Sequence, residues 1–300
     1  MKKAYRLLML MVCVMLMLPA ISLAEVVKLP IDDTGGMPFN AQFNKDVMIY
    51  DDPSIHVDCT RVLNPEASKQ GFECAYYYAH ITIADASQLR TTSANGFENR
   101  NRTKAHVMAR RVNAILAING DFYGARAESY VLRQGIVYRD MVGPHQDVLH
   151  IDEDGDFHVI LAKDNPAEVD KTTWEGKRII NAFTFGPALI VDDEVVLDES
   201  SSPSMSAPES QSQRMCIIQT GPLQYMVLCC RDVGCTAQEM VDLVRLVTDH
   251  VEVAYLLDGG ESSQLVFLGR LLNKSERVAR EVSDIIYFAS AYVPDEGVAE

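Results

Sequence analysis

The sequence predicts an α+β protein in which a mixed, largely antiparallel β-sheet core is packed by a few helices. Short apolar or β-branched runs bounded by turn residues greatly outnumber segments with helical spacing. A helix followed by a strand is predicted only twice, which argues against a doubly wound sheet of repeated βαβ units. The chain has 300 residues, 48% of them hydrophobic and 23% charged, so it is long enough for a large core.

The first 24 residues have the pattern of a secretory signal peptide. Lys2, Lys3 and Arg6 precede a run of 12 apolar residues, Leu7–Leu18, and small residues two apart follow at 22–24. Twelve apolar residues fall well short of the roughly 20 that span a bilayer. We therefore expect cleavage after residue 24, a secreted or extracytoplasmic protein in the periplasm or at the cell surface, and no membrane span after cleavage. The alternative is an uncleaved N-terminal anchor.

The charge of the chain excludes one class of partner. It contains 27 basic and 42 acidic side chains, a formal net charge of −15. Residues 1–24 hold three of the basic side chains and none of the acidic ones, so the remainder has 24 against 42, or −18. Such a surface repels phosphate backbones, and we expect no binding to nucleic acid. A small anion held by a local arginine remains compatible with it.

Six cysteines remain beyond the predicted signal peptide, an even number that suggests disulfide bonds outside the cytosol. Cys59 with Cys74 would close an N-terminal loop, and Cys216 could meet Cys229 or Cys230 across a hairpin. The spacing of 229, 230 and 235 is not a paired C-x-x-C zinc pattern, and no histidine lies nearby in sequence. The sequence therefore predicts no metal site and no cofactor.

The segment 25–74 is turn-rich, and we expect it to add strands and turns that pack on the main domain, residues 75–300. The first elements of that domain are a strand, a helix and a short buried strand. The later elements are short strands over 131–161, a strand interrupted by a Gly-Pro pair, a polar serine-rich loop, a hairpin, a helix with a capping box, a buried strand and further strands over 264–290. The predicted bounds are Tyr76–Ile83, Phe97–Ala114, Ile115–Ile118, Phe183–Val191, Ser200–Gln213, Arg214–Ile218 with Tyr225–Cys230, Thr236 to about His250, and Val253–Leu257.

Two predicted helix–strand units end in an aspartate beside a glycine, at Asn119-Gly120-Asp121 and at Asp258-Gly259-Gly260. A carboxylate at the end of a buried strand is held rigidly and can still reach a crevice, and the glycines let the backbone approach a ligand. Taken singly, each is more simply interpreted as an ordinary turn, because Asn-Gly and Asp-Gly are common turn dipeptides. Arg214 begins an apolar strand after a polar loop, and its planar guanidinium suits phosphate, although a surface arginine at a strand edge has the same pattern.

Familiar catalytic motifs of other classes are missing from the sequence. It contains no G-x-S-x-G elbow, no G-x-x-x-x-G-K-[ST] phosphate loop, no H-E-x-x-H pair and no G-x-G-x-x-G after a strand.

Four segments in order resemble the phosphodiester glycosidase family, which includes the domain of the lysosomal uncovering enzyme. The resemblance covers roughly residues 75–290. The segments are Ala117-Ile118-Asn119-Gly120-Asp121-Phe122-Tyr123, Phe185-Gly186-Pro187-Ala188-Leu189, Gln213-Arg214-Met215 and Leu257-Asp258-Gly259-Gly260-Glu261-Ser262.

The resemblance implies an exported hydrolase that cleaves the glycosidic bond of sugar-1-phosphodiesters in envelope or extracellular glycans. It implies catalytic roles for Asp258, Asp121 and Arg214, with Arg214 holding the phosphate and a carboxylate facing the developing oxocarbenium ion. It also implies that the remaining motif residues bind sugar or phosphate and shape the floor of the site: Asn119, Gly120, Gly259, Gly260, Glu261 and Ser262.

The chain departs from the family pattern at two places. Glu261 stands where the family has its third glycine, and Met215 follows the arginine where threonine is usual. Glu261 adds a second carboxylate beside Asp258, which can change the substrate, supply an acid or mark a degenerate member. The alternative function is a glycan-binding or exopolysaccharide-assembly protein that no longer cleaves. We further predict that Ser200–Gln213 forms a mobile flap over the site.

Overall fold

The computed structural model describes residues 28–29, 48–143, 145–198, 200, 207–274 and 276–292. The predicted signal peptide lies outside these residues, as do residues 201–206 of the predicted serine-rich loop. None of the helices in the described part of the chain is long and apolar enough to cross a membrane.

Antiparallel strands dominate the fold, and helices are a minor part of the described residues. The α-helices are α1 (Asn64–Lys69), α2 (Ala105–Arg111) and α3 (Ala237–Val247). The strands are β1 (Ile49–Asp52), β2 (Ile55–Val62), β3 (Tyr76–Ile83), β4 (Leu89–Ser93), β5 (Leu116–Asn119), β6 (Val131–Arg133), β7 (Ile136–Arg139), β8 (Val148–Asp152), β9 (Phe157–Ile160), β10 (Thr173–Trp174), β11 (Lys177–Phe183), β12 (Ala188–Val191), β13 (Glu194–Val195), β14 (Met215–Gly221), β15 (Gln224–Cys230), β16 (Val253–Leu257), β17 (Leu265–Phe267), β18 (Arg270–Leu271) and β19 (Asp284–Phe288).

The strands form three sheets, in all of which neighbouring strands are antiparallel. The largest has eight strands in the order β1-β2-β3-β15-β14-β16-β12-β13. A five-stranded sheet has the order β18-β17-β5-β19-β4, and a third has the order β7-β6-β11-β8-β9 with β10 paired to β11. The described part of the N-terminal segment contributes β1 and β2, and β2 pairs with β3 along its whole length.

The main core lies where the three sheets face one another. It contains inward side chains of the eight-stranded sheet, such as Val57 and Val227, together with Ile118 of the five-stranded sheet and Leu149 of the third. On its other face the eight-stranded sheet packs against apolar residues of α3. Helix α2 covers the outer face of the five-stranded sheet. Each sheet therefore buries an apolar face, as its alternation of side chains requires.

Most of the predicted elements form, and the differences have local causes. The capping box of α3 is present, since the Thr236 hydroxyl accepts from the Glu239 amide at 3.1 Å and the Glu239 carboxylate accepts from the Thr236 amide at 2.7 Å. The predicted helix Phe97–Ala114 is shorter and comprises only α2. Before it, Thr103 pairs as a β-bridge with Val282, which withdraws its backbone from helical hydrogen bonding.

The disulfide pairings considered from the sequence are not present, and the described cysteines are all free thiols in this structure. Cys59 faces the main core, whereas Cys74 lies on the opposite, helix-covered face of the eight-stranded sheet. Cys216 also lies on that helix-covered face, and Cys229 does not. Cys216 pairs with Leu228, two residues from Cys230. Side-chain alternation therefore puts Cys216 and Cys229 on opposite faces of the sheet, whereas Cys216 and Cys230 share a face but are offset by two residues in the hairpin register.

Candidate functional site

The ends of two strands and the start of a third meet at one edge of the fold. Asn119 ends β5, Asp258 directly follows β16, and Arg214 directly precedes β14. Met215 pairs with Leu257 in the antiparallel β14–β16 ladder, so Arg214 and Asp258 lie side by side one residue beyond it. This register explains how residues far apart in sequence reach one place.

A cleft open to solvent lies at this edge. Five of the residues predicted for the site line it, together with five residues that the sequence analysis did not select. The lining residues are Phe122, Arg126, Phe185, Ser212, Arg214, Asp258, Gly259, Gly260, Glu261 and Arg280. The cleft therefore combines three arginines with two carboxylates and two aromatic rings.

Asp258 is the buried carboxyl group of the cleft, with 8% of the residue exposed. Burial raises the pKa of Asp258 to about 6, opposed by the nearby Ser262 hydroxyl and by Arg280 and Arg126. Its Oδ2 has no hydrogen-bond partner of ordinary geometry among the described residues, and neither has Ser262 Oγ. A buried carboxyl oxygen without a partner is costly unless a ligand satisfies it, which is typical of a functional site.

Arg126 is a functional candidate that no motif in the sequence indicated. Its Nη2 donates to the Thr184 carbonyl, and its guanidinium lies 5.3 Å from the centre of the Phe185 ring. Its Nε and Nη1 are buried without a partner among the described residues. These two unpartnered donors, on different edges of the guanidinium, are available to anionic oxygens of a ligand. The one feature of the sequence that could have indicated Arg126 is its position, four residues after Phe122 of the first segment that resembles the family.

Arg214 also lines the cleft, but most of its donors are hydrogen-bonded to backbone carbonyls of the protein. Its Nε donates to the Cys235 carbonyl at 3.1 Å, and its Nη2 donates to the carbonyls of Ala207 and Ser210, each at 2.8 Å. The residue is 4% exposed, and desolvation lowers the pKa of Arg214. Its geometry suits the anchoring of residues 207–210 better than a two-point grip on phosphate.

The rim of the cleft carries an ion pair between Glu261 and Arg280. Glu261 Oε2 accepts from Arg280 Nη2 at 2.7 Å and from its Nε at 3.2 Å. The side chains are 70% and 42% exposed, respectively. Lys274 lies behind this rim and donates to the carbonyls of Gly260 and Glu261, both at 3.1 Å. The Glu261 carboxylate therefore pairs with Arg280 at the mouth of the cleft.

Asn119, Gly120 and Ser262 lie behind the cleft and do not line it. Asn119 donates through Nδ2 to the Asp258 carbonyl at 2.7 Å, and its Oδ1 accepts from the Gln264 amide at 3.0 Å. The Gly120 carbonyl accepts from the Asp258 amide at 3.2 Å. These bonds hold the backbone on which the Asp258 carboxyl group is carried.

Asp121 is completely buried and does not line the cleft, although the family resemblance implied a catalytic role for it. Its Oδ1 accepts from Arg133 Nη2 at 2.9 Å, and its Oδ2 accepts from the Thr184 amide at 3.0 Å. Arg133 Nε donates to Asp284 Oδ2 at 3.0 Å. Burial raises the pKa of Asp284 to about 7, and Arg133 opposes this rise. Both carboxyl oxygens of Asp121 are therefore hydrogen-bonded within a buried network that includes Arg133 and Asp284. This arrangement suits a residue that positions its neighbours rather than one that contacts a ligand.

Glycine is required at two of the predicted positions. A Cβ on Gly259 would lie 2.5 Å from the backbone carbonyl oxygen of Gln213, so a side chain cannot fit without moving the backbone. A Cβ on Gly120 would lie 2.2 Å from Asp284 Oδ1. Both glycines permit close approach of other groups, as the sequence suggested, but these groups belong to the protein.

The described end of the predicted flap, residues 207–213, is tied to the domain. Ser212 and Cys235 exchange backbone hydrogen bonds at 2.9 and 3.2 Å, and Gln211 donates to Glu239 at 3.0 Å. Ser212 lines the cleft, so this end of the loop forms part of its wall. Among the described residues, no group of three or more histidine, cysteine, aspartate or glutamate side chains is arranged to hold a metal ion.

Comparisons with known proteins agree with these features. The phosphodiester glycosidase family profile matches residues 112–289. The catalytic domain of zebrafish N-acetylglucosamine-1-phosphodiester alpha-N-acetylglucosaminidase superposes with a TM-score of 0.61 at 14% identity, covering 80% of this chain and 85% of that one. A hypothetical Synechocystis protein gives 0.52 at 16% identity, over 78% of this chain and 62% of that one. A Burkholderia pseudomallei protein described as exported superposes with a TM-score of 0.50 at 12% sequence identity, covering 72% of this chain and 74% of that one. No curated protein matches.

Proposed function

Because this chain belongs to the phosphodiester glycosidase family, we propose that it is an exported hydrolase cleaving the glycosidic bond of sugar-1-phosphodiesters. The observation that carries the proposal is the pairing, in one cleft, of a buried carboxyl oxygen on Asp258 with two buried donors on Arg126, all without partners among the described residues. A sugar-1-phosphodiester needs both groups, one for the sugar carbon and one for the phosphate.

Arg126 binds the phosphate in this proposal. Its unpartnered Nε and Nη1 lie on different edges of the guanidinium and can donate to anionic oxygens of the substrate, and its Nη2 bond to Thr184 holds the guanidinium in place. Arg280 adds positive charge at the rim, and Arg214 holds the wall formed by residues 207–210. A protein with a net charge of −15 needs such a local positive site to hold an anionic substrate.

Asp258 acts at the sugar carbon. With its pKa raised to about 6, it is mostly a carboxylate at neutral pH and can stabilise an oxocarbenium ion or attack C1. Breaking the C1–O bond leaves the electron pair on the phosphate, which departs as a phosphomonoester. Because a phosphate is a better leaving group than a sugar hydroxyl, it needs less protonation by an acid. Asn119 and Asp121 act as positioning residues behind Asp258.

The alternative is a catalytically degenerate protein that binds glycan or assists exopolysaccharide assembly. The Glu261–Arg280 pair favours it, because a carboxylate stands where the family pattern has glycine and occupies one arginine of the cleft. In both proposals the partner is a carbohydrate phosphodiester or a cell-envelope glycan. Export is supported by the signal-peptide pattern of residues 1–24.

The test is hydrolysis of a sugar-1-phosphodiester by the purified exported protein and by its Asp258→Asn variant. Released reducing sugar and released phosphomonoester are measured after reaction in isotopically labelled water, because C1–O cleavage leaves the phosphomonoester unlabelled, whereas P–O cleavage gives the same two products with the water oxygen in the phosphate. We expect turnover by the wild type only. Binding of the substrate without turnover by either protein would establish the glycan-binding alternative and reject the enzyme.

A further inference from the structure

Three buried thiols meet directly behind the cleft wall. Cys230 ends β15, Cys235 lies just before α3, and Cys74 lies just before β3. The Sγ atoms of Cys230 and Cys235 are 2.9 Å apart. Cys74 is hydrogen-bonded to both, and these bonds lower the pKa of its thiol. We refer to Cys74, Cys230 and Cys235 as the thiol cluster.

The thiol cluster is held by the same residues that form the cleft wall. The backbone of Cys235 exchanges two hydrogen bonds with Ser212, and its carbonyl also accepts from Arg214 Nε at 3.1 Å. The Arg214 backbone N–H donates to Cys230 Sγ at 3.1 Å. The two close sulfur atoms are therefore fixed on opposite ends of a short turn, and both residues contact Arg214.

We propose that Cys230 and Cys235 form a disulfide bond, with Cys74 remaining a thiol beside it. The oxidant is an external disulfide, either a small molecule such as oxidised glutathione or a protein disulfide. One cysteine thiolate attacks that disulfide, giving a mixed disulfide and releasing one external thiol. The second cysteine thiolate then attacks the protein sulfur and releases the other external thiol. Two protein thiols are oxidised, and their protons end on the two thiols released.

The arrangement favours this pair over the other cysteines. Cys59 and Cys229 face the main core, on the far side of the sheet from the thiol cluster. The Arg214 N–H bond to Cys230 uses a sulfur lone pair, so it survives oxidation. Joining the sulfurs would close the turn 230–235 and fix the carbonyl of Cys235, which orients the Arg214 guanidinium. The disulfide would thus stiffen one wall of the cleft.

Peptide mapping tests the pairing directly. The protein is refolded from the reduced, denatured state in a glutathione redox buffer, alkylated and digested with trypsin. Cys230 falls in peptide 215–231, Cys235 in 232–245, and Cys74 in 70–90, because trypsin cuts after Lys69, Arg90, Arg214, Arg231 and Arg245. We expect 215–231 linked to 232–245, and 70–90 alkylated. Full alkylation of all three peptides, or a link involving 70–90, would overturn the proposal, as would metal retained in the native mass.

Single variants identify the sulfur within peptide 215–231, which also holds Cys216 and Cys229. We expect Cys229→Ser to keep the link, and Cys230→Ser and Cys235→Ser to lose it. Reductant should lower the Tm of the wild type by about 5 °C or more and leave the Tm of Cys235→Ser unchanged. A link that persists in Cys230→Ser would refute the pairing. The covalent readout is independent of hydrolysis, so it stands or falls separately from the proposed activity.

Discussion

The Asn119 side-chain amide donates a 2.7 Å hydrogen bond to the backbone carbonyl of Asp258. Asn119 ends a strand of the five-stranded sheet, and Asp258 follows a strand of the eight-stranded sheet. One buried side chain therefore joins the two sheets at the cleft. In return, Asn119 Oδ1 accepts from the Gln264 amide, so both of its polar atoms are used in fixing this junction.

Asp258→Asn should abolish hydrolysis while preserving the fold. The amide keeps the size of the side chain but cannot act as a carboxylate, and we expect kcat/KM to fall by about 10²–10⁴-fold. The measurement is steady-state hydrolysis of a sugar-1-phosphodiester with circular dichroism as the folding control. Glu261→Gln is the matched control and should retain most activity. Equal turnover by wild type and Asp258→Asn would remove Asp258 from the chemistry.

The same substitution should stabilise the protein at neutral pH. The folded pKa of Asp258 is raised to about 6, so burial of its charge destabilises the native state above that pH. The native state binds the proton more tightly than the unfolded chain, and stability from this group falls as pH rises from about 4 to about 6. We expect Asp258→Asn to gain roughly 2–4 kcal/mol at pH 7 and almost nothing at pH 4. Urea unfolding at both pH values measures this, and an equal gain at both would contradict the raised pKa.

The pH dependence of activity should report the same carboxyl group. If the carboxylate form of Asp258 acts on the sugar, kcat/KM should rise with pH through an apparent pKa near 6 and then level off. The profile is measured on a substrate whose phosphate does not titrate in this range, as in a diester. A profile that falls through pH 6 would instead assign Asp258 the role of proton donor.

Arg126→Lys should lower kcat/KM more than Arg214→Lys does. Arg214→Lys should lower the free energy of unfolding more than Arg126→Lys does. Lysine keeps the charge but loses the rigid, planar set of donors, and we expect kcat/KM of Arg126→Lys to fall about 10- to 100-fold. Arg214→Lys loses bonds to the carbonyls of Cys235, Ala207 and Ser210, so it should unfold at lower urea. An unchanged kcat/KM in Arg126→Lys would show that another group binds the phosphate.

Glu261→Gly should preserve or raise activity. The pair with Arg280 is solvent-exposed, so its loss should change stability by less than about 1 kcal/mol. Removing the carboxylate frees Arg280 for the phosphate and restores the residue usual in the family pattern. Glu261→Gln separates the loss of charge from the backbone freedom of glycine. A tenfold or greater fall in kcat/KM in both variants would mean that Glu261 takes part in the reaction.

Gly259→Ala should be destabilising because its Cβ would lie 2.5 Å from the Gln213 carbonyl oxygen. We expect a loss of about 1–3 kcal/mol, together with reduced kcat as the neighbouring Asp258 is displaced. Gly221→Ala is the control, since the nearest atom to its Cβ would be 3.7 Å away. Equal unfolding midpoints for the two variants would show that the close approach at Gly259 is unimportant.

Local patterns carried much of the information about the elements. The capping box predicted the start of α3, and alternating or buried apolar runs predicted β3, the β14–β15 hairpin and β16. These signals are short-range, because a cap or a hairpin is made by residues that are close in sequence. The predicted helix from Phe97 failed at its beginning because Thr103 pairs with Val282, a partner that is remote in sequence.

The sequence by itself determined the family, the largely antiparallel β-sheet core and the position of Asp258 at the end of a buried strand. Only the tertiary structure decided which polar atoms are left without partners. Asp121 and Asp258 have similar sequence contexts. In the structure, however, both oxygens of Asp121 accept hydrogen bonds, from Arg133 and from the Thr184 amide, whereas Asp258 keeps a buried oxygen without a partner among the described residues. Arg126 and Arg214 differ in the same way. A side chain's availability depends on every long-range contact around it, and these contacts exist only once the sheets have packed.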